Sequence, residues 1–409
     1  MDPFKDLYQS SFIEGYCKQE NTTQYFKRFF NDEAASAYTE LDGIKISRIG
    51  FGSYRVARGN AIFEKALELA ILNGVNLIDT SSNYGDGSSE SLIGDIIRKL
   101  IDESRIKREE IFLVTKIGYI QGKNLQLVEE MEKQGKAFPD ITYYDPNCFH
   151  CISPDFLEDQ LTRARKRLGF SVIDAVLLHN PEYFLMDSEH HNVSREKAIS
   201  EYYDRIKKAF AFLELKRQEG IIRYYGISSN TFPKEESAYT FTSLSKVLEI
   251  SQNMYGLGSG FKLIQFPANL YETGFITEKN NSGESIAMLA QKKNLFTLIN
   301  RPLNAMKKQG GMDRLAIYQG NDLNLIKGKL ENFTNQLKEF QQSMFQTLGI
   351  ENVNFTFVSV IETYRDKFNS KEHYHQALNY SVIPQIKDLL SRIEKLDKAN
   401  SYYTFYLDL

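Results

Sequence analysis

No tryptophan occurs in the chain, and cysteine is limited to three of 409 residues. The tryptophan gap says nothing about function, because 24 tyrosines and 28 phenylalanines supply the aromatic mass. The cysteine count says more. Three thiols in a long chain argue against a disulfide framework and for a reducing compartment. An excess of charge is also missing: 50 Lys plus Arg face 53 Asp plus Glu, for a net charge of −3. That balance offers no electrostatic footprint for nucleic acid or an anionic membrane. No run approaches the roughly 18 apolar residues of a membrane span. The opening MDPFKDLYQSSFIEGYCKQE lacks the basic and apolar regions of a secretory signal. With 42% hydrophobic and 25% charged residues, a cytoplasmic globular protein is expected. The length allows one large barrel or two to three ordinary domains.

From Gly43 to Leu303 the chain keeps one rhythm of short apolar run, polar loop and longer amphipathic stretch. The strand-like runs are ISRIGFG (46–52), VNLIDTS (75–81), IFLVTKIG (111–118), VIDAVLLHN (172–180), IRYYGISS (222–229), KLIQFPANL (262–270) and LFTLINRPL (295–303). Most are apolar throughout, as in strands covered on both faces. Helical patterns lie between them. Ala61–Leu72 places Ile62, Ala66, Leu67, Ala70 and Ile71 on one side and stops at Asn73-Gly74. Ser153-Pro154 opens a second helix, which Gly169 closes, and a third spans Tyr202–Gln218. Such alternation predicts βαβ units and a parallel sheet. No G-x-G-x-x-G follows the first strand, where Gly50-Phe51-Gly52 runs into Ser53, Tyr54 and Arg55. A closed (β/α)₈ barrel, of the kind called a TIM barrel, is therefore the expected α/β fold.

Three segments depart from a plain barrel. Residues 1–42 form a polar lead-in that either crosses the barrel bottom or stays mobile. Residues 119–152 make an excursion after the third strand that is too long for an ordinary loop and is expected to be functional or lid-like. The core is expected over residues 43–322 and a helical C-terminal region over 323–409. There Leu330, Phe333, Leu337, Phe340, Met344 and Leu348 mark one amphipathic helix, and Ile386, Leu389, Leu390, Ile393 and Leu396 a second.

Active-site groups of such a barrel sit at the C-terminal strand ends and in the loops that follow. Those ends supply Asp79, Lys116 and His179, with Tyr84 in the loop after Asp79. Taken singly, each fits a structural role, an ion pair and a satisfied histidine. Together they make a different set. A tyrosine with an ordinary pKa of about 10 is a poor acid at neutral pH unless a cation favours its phenolate. Lys116 is expected to lower the Tyr84 pKa, Asp79 to hold Lys116, and His179 to donate a hydrogen bond to the same carbonyl oxygen.

IDTSSNYGDGSSESLIG, VTKIG, LLHNP, YYGISSN and LIQFPANL resemble successive motifs of the aldo-keto reductase family, in order, over roughly Leu41 to Leu303. The lead-in Tyr38–Gly43 and the segment His150–Leu161 resemble a divergent branch of it. The resemblance implies hydride transfer between NADP(H), or alternatively NAD(H), and a small-molecule aldehyde, ketone or alcohol. It implies Tyr84 as general acid/base, Lys116 with Asp79 as modulators of its pKa, and His179 as the group orienting and polarising the carbonyl. Ser229, Asn230 and Gln265 match positions that hold the nicotinamide carboxamide, and Gly52, Ser53 and Tyr54 match the first-strand loop beside the cofactor. Two departures touch the cofactor. The seventh strand ends in Asn300 and Arg301 rather than an aromatic residue, so Arg301 is expected against the ring or a phosphate. The usual adenosine-side motif is reduced to VIPQIKDLLSRI (382–393), which leaves Arg301, Lys307 or Lys308 to hold that end. The alternative is a binding or regulatory barrel with weak or absent dinucleotide binding. Cys148-Phe149-His150-Cys151 lacks the partner pair of a zinc site, so no metal is expected and the segment is read as lining the substrate mouth. His190 and His191 are read as solvated loop residues.

Overall fold

A computed structural model of the chain describes residues 2–30, 36–306 and 311–316, together with isolated positions from 335 to 391. The chain divides into two compact units, Met1–Ala316 and Ile317–Leu409, and the first carries the architecture below. The amphipathic patterns at 330–348 and 386–396, Lys307 and Lys308, and most of segment 382–393 fall outside the described residues.

Seven parallel strands form one sheet. They are β1 (Phe51–Gly52), β2 (Leu77–Asp79), β3 (Phe112–Ile117), β4 (Ile173–His179), β5 (Ile222–Ser228), β6 (Phe261–Pro267) and β7 (Phe296–Asn300). Their order in the sheet is their order in the chain, as right-handed βαβ crossovers produce in a (β/α)₈ barrel. The main connecting helices are α1 (Ala61–Leu72), α2 (Ser88–Asp102), α3 (Pro154–Leu168), α4 (Arg195–Gln218), α5 (Leu244–Tyr255) and α6 (Ile286–Lys292). The α4 helix begins seven residues before the expected Tyr202. The α3 helix starts at Ser153-Pro154 as read, although the Ser153 side chain makes no cap bond and contacts the Cys151 thiol instead.

Period-two alternation explains why these strands are apolar on both faces. Ile78, Leu113, Val176, Leu178, Ile227 and Ile264 point outward into a cluster with the helices. Leu77, Phe112, Val114, Ala175, Leu177, Leu263 and Leu298 form a separate cluster that fills the barrel interior. An antiparallel hairpin, Tyr38–Leu41 with Ile44–Ser47, adds Leu41, Ile44 and Ile46 to that inner cluster, and Cys17 joins them. The hairpin is tied to the N-terminal end of β2. The Asn76 side chain accepts from the Ser47 amide at 2.8 Å and donates to the Lys45 carbonyl at 3.0 Å. The lead-in thus plugs the barrel bottom. The run read as one strand over 46–52 is split, because its first part pairs with the hairpin and only Phe51–Gly52 joins the barrel. His190 and His191, read as loop residues, sit exposed at the end of a short helix, Tyr183–His190.

Buried charge locks the lead-in to the strands. Asp174 on β4, fully buried, pairs with Arg108 at 2.8 Å and accepts the amides of Cys17 (2.8 Å) and Leu113 (3.0 Å). Replacing Asp174 by Ala leaves the Arg108 charge and both amides without that acceptor. The expected loss is about 3–5 kcal/mol of unfolding free energy, read from the urea midpoint of the variant against the parent chain; a loss under about 1 kcal/mol contradicts the account.

Candidate active site

The same alternation builds the site. Leu77, Val114 and Leu177 face inward, so Asp79, Lys116 and His179, each two residues further along its strand, also face inward at the C-terminal mouth. By the same parity Ser228, Gln265 and Asn300 continue this polar layer on β5, β6 and β7. Six of the seven strands, β2 to β7, thus each contribute one polar residue to the top of an apolar barrel.

Lys116 is fully buried and its ammonium has three acceptors. Asp79 Oδ2 lies at 2.7 Å, the Thr80 carbonyl oxygen at 2.9 Å and Tyr84 Oη at 3.4 Å. An ammonium has three N–H donors, so all are used. Burial alone would depress the Lys116 pKa, but Asp79 and Tyr84 outweigh it and hold the group above its ordinary value, charged. The Tyr84 phenol is raised as well. Burial pushes it up most, Lys116 pulls it down, and Asp79 pushes it up again. The expected depression of Tyr84 is therefore not realised, because burial of the phenol outweighs the pull of Lys116. Because Lys116 donates to Tyr84 Oη, the phenol's own proton is free to point elsewhere.

A tight turn presents Tyr84. Gly85, Asp86 and Gly87 all take positive φ (54°, 58° and 84°), which glycine adopts freely and aspartate tolerates. The Asp86 carboxylate also accepts the Lys123 amide at 3.1 Å, at the first turn of helix Gly122–Lys133. That helix belongs to the 119–152 excursion, whose strands Tyr119–Ile120, Thr142–Asp145 and Cys148–His150 form a small antiparallel sheet. The excursion packs around His179. The Tyr119 ring meets the imidazole edge-on at 4.7 Å, and the buried His150 donates from Nε2 to the His179 carbonyl at 2.8 Å. Cys148 and Cys151 are free, buried thiols whose pKa values burial raises. Among the described residues no group of three or more His, Cys, Asp or Glu side chains is arranged to hold a metal. Tyr84 lies edge-on to His179 at 5.9 Å and to the exposed Tyr54 at 5.3 Å. His179 is held well below its ordinary pKa by burial, then by Lys116 and His150, so its ring is neutral.

The remaining predicted residues divide. Gln265 reaches the centre, donating to Asp79 Oδ1 at 3.3 Å and accepting from Ser228 at 3.1 Å. The Ser229 side chain faces the other way and is buried against Thr231 and Thr242, so Ser228 occupies the inward position. Ser53 is buried beneath the mouth and accepts from Ser89 at 2.8 Å. Gly52 opens onto free space beside Asp79. Asn230 accepts from Arg301 at 3.2 Å, and Arg301 is paired with Glu272 at 2.6 Å, so its charge is already matched. Ser81, Ser228, Glu182 and Glu272 were not singled out in the sequence. The period-two parity carried the signal for Ser228.

A sequence model of the aldo/keto reductase family matches residues 48–257, just over half of the chain. The chain belongs to the aldo/keto reductase family. An NADH-specific methylglyoxal reductase of Escherichia coli (strain K12) is 25% identical over 195 residues, covering 46% of this chain and 49% of the relative. An aldose reductase of Encephalitozoon cuniculi (strain GB-M1) is 33% identical over 143 residues, 35% of this chain and 36% of its own. The chain thus spans about half or less of the curated relatives it matches. A solved glycerol dehydrogenase from Gluconobacter oxydans covers 65% of this chain and 63% of its own at 20% identity and a TM-score of 0.43. No helix among the described residues is long and apolar enough to cross a membrane.

Glu182, in the loop after β4, is fully buried and accepts the Asn230 amide at 2.7 Å, while its Oε2 has no partner among the described residues. Burial raises its pKa from 4.5 to about 7. A raised carboxyl pKa means that the unfolded chain releases its proton first, so stability falls as pH rises from about 4.5 to about 7. Glu182→Gln removes that cost. Its melting temperature is expected to exceed the parent's at pH 8 and to match it at pH 4.5, with a ceiling of about 3 kcal/mol at the higher pH. A gap independent of pH contradicts the assignment.

Proposed function

We propose that the protein is an NAD(P)H-dependent oxidoreductase that reduces a small aldehyde or ketone, or oxidises the matching alcohol, with Tyr84 as general acid/base. One observation carries the reading: the Lys116 ammonium spends all three hydrogens, one of them on the Tyr84 oxygen, so the phenol proton is available to a ligand. Membership of the aldo/keto reductase family and relatives named as NADH- and NAD(P)H-dependent reductases support it.

The mouth fits a nicotinamide on the evidence of two orphaned groups. Asn300 Oδ1 and Arg301 Nε are buried and have no partner among the described residues, and a carboxamide offers one donor group and one acceptor. Asn230 and Gln265 would border the same end, and Ser53 and Tyr54 the near side of the ring; Ser229 would contribute through its backbone. When bound in reduced form, the cofactor supplies the hydride. Tyr84 gives its proton to the carbonyl oxygen as negative charge develops there. The Lys116 charge, 3.4 Å from the phenol oxygen, stabilises the phenolate left behind. Asp79 keeps that ammonium charged and fixed, and Gln265 holds the other carboxylate oxygen. The neutral His179 ring stands edge-on to Tyr84 at 5.9 Å, where it would orient the carbonyl group. The choice between NADP(H) and NAD(H) lies with the adenosine end of the ligand. We read the chain as acting in the cytoplasm on a small molecule, with neither nucleic acid nor membrane as partner.

The test is a fluorescence titration of the protein with NADPH and NADH, followed by turnover with a panel of aldehydes. Tyr84→Phe is expected to lower kcat by about 10²–10⁴-fold and to leave the dinucleotide affinity unchanged. With the phenol raised above its ordinary range, reduction is expected to be flat through neutral pH and to decline only in alkali. If neither dinucleotide binds at millimolar concentration, the reading is lost and the alternative of a binding or regulatory barrel takes its place.

A further inference from the structure

We infer that Glu182 decides which redox form of the dinucleotide the site prefers: its carboxylate favours the cationic, oxidised nicotinamide over the neutral, reduced one, and protonation removes that preference. This preference presupposes the proposed dinucleotide binding, which puts the nicotinamide beside Asn230. Glu182 lies in the loop after β4 and has no exposed surface. Its Oε1 accepts the Asn230 amide at 2.7 Å, and its Oε2 has no hydrogen-bond partner among the described residues. The Ser229 hydroxyl also faces the carboxyl but is shared with Thr231 and Thr242. The charged groups nearer the mouth are already matched. Lys116 pairs with Asp79, and Arg301 pairs with Glu272 while donating to Asn230 Oδ1 at 3.2 Å. An ionised Glu182 therefore adds a negative charge that no ion pair offsets, one residue's width from the nicotinamide end.

Opposite charges in a buried setting attract strongly enough to move a carboxyl's pKa. The oxidised ring is a cation and gains from the carboxylate; the reduced ring is neutral and does not. The phosphates are common to both forms and cancel when the two are compared. Four titratable groups interact with Glu182: Tyr119 of the excursion, Tyr183 beside it, Tyr202 of α4 and Lys234 in the loop after β5. Burial lifts all three phenols above their ordinary value, so they stay neutral near pH 7. Lys234 is exposed, donates to Thr240 at 2.9 Å, and eases the ionisation less than burial opposes it. At the mouth Lys116 stays charged, and Tyr84 and His179 stay neutral, over the same range. Burial raises the free carboxyl to about 7, and a bound cation draws it down again. Affinity for the oxidised form thus rises with pH up to about 7 and is level above it. Glu182 touches no reacting atom; it acts on the ring from beyond Asn230 and is a positioning residue.

The test has two arms. Titration calorimetry measures Kd for the oxidised and the reduced form of whichever dinucleotide binds, NAD or NADP, at about pH 5.5 and about pH 8.5. In the parent chain the preference for the oxidised form is expected to rise about tenfold between the two, the worth of one pKa unit. In Glu182→Gln, which keeps an oxygen for the Asn230 amide, the preference is expected not to change with pH. A flat preference in the parent, or a parent-like rise in Glu182→Gln, overturns the coupling alone. Binding of neither form overturns the coupling together with the oxidoreductase reading. The second arm needs no ligand. Infrared difference spectra of the parent chain against Glu182→Gln follow the C=O band of a protonated carboxyl, which is expected below about pH 7 and lost above it. Absence of that band at about pH 5.5 shows a carboxyl ionised throughout and overturns the inference whatever the dinucleotide does.

Discussion

A buried ammonium organises the mouth of this barrel. Lys116 has no exposed surface, and a charge so placed costs several kcal/mol unless its hydrogens all find acceptors. It finds them on one connected stretch of chain: the end of β2, the next carbonyl and the tyrosine of the following loop. Loop and strand are thereby fixed to each other. The left-handed turn at Gly85–Gly87, the Asp86 carboxylate at the helix of the excursion and the Gln265 amide on Asp79 all extend from that point.

Charge and polarity in the mouth are graded by this arrangement. The ammonium stays protonated, the phenol stays protonated and the imidazole stays neutral, each because burial and its neighbours push it that way. The site at rest therefore holds a single positive charge matched by Asp79. On the β7 side a second pair, Arg301 with Glu272, is already balanced and bonded to Asn230. Open polar capacity is left on Asn300 Oδ1 and Arg301 Nε, which suits a neutral polar group better than another ion.

Much of this was legible in the sequence. Six of the seven barrel strands lie where apolar runs between polar loops place them, because parallel strands buried on both faces leave a continuous signal. Asp79, Lys116, Tyr84 and His179 stood out because each interrupts or follows such a run. The failures have equally local causes. Ile46 and Phe51 share one apolar run but belong to different sheets, and composition cannot show a chain turning at Arg48–Gly50. Ser229 looked like the pocket serine, whereas the alternation through Tyr224, Gly226 and Ser228 turns the earlier one inward. The direction of the Tyr84 shift depended on how deeply the phenol is buried relative to its distance from Lys116, a balance of two opposed effects. Hydroxyls such as Ser81, common and weakly patterned, carry no signal until a ring nitrogen is found 2.8 Å away.

The excursion between β3 and α3 is joined to itself at its base, where Tyr119 and Ile120 pair with His150 and Phe149. The residues that touch His179 and Asn180 lie in this paired stem, whereas the turn at the far end, residues 133–137, is exposed and the chain is anchored again at Phe138 against Phe156 and at Asp140, whose carbonyl accepts from Arg205. Closure of a longer loop from an already paired stem costs only about 0.6 kcal/mol for each doubling of its length. The tip can therefore accept insertions, deletions or a grafted segment while the stem keeps its register. Diversification of reach and selectivity can proceed at the outer end of this arm without re-solving the chemistry at its root.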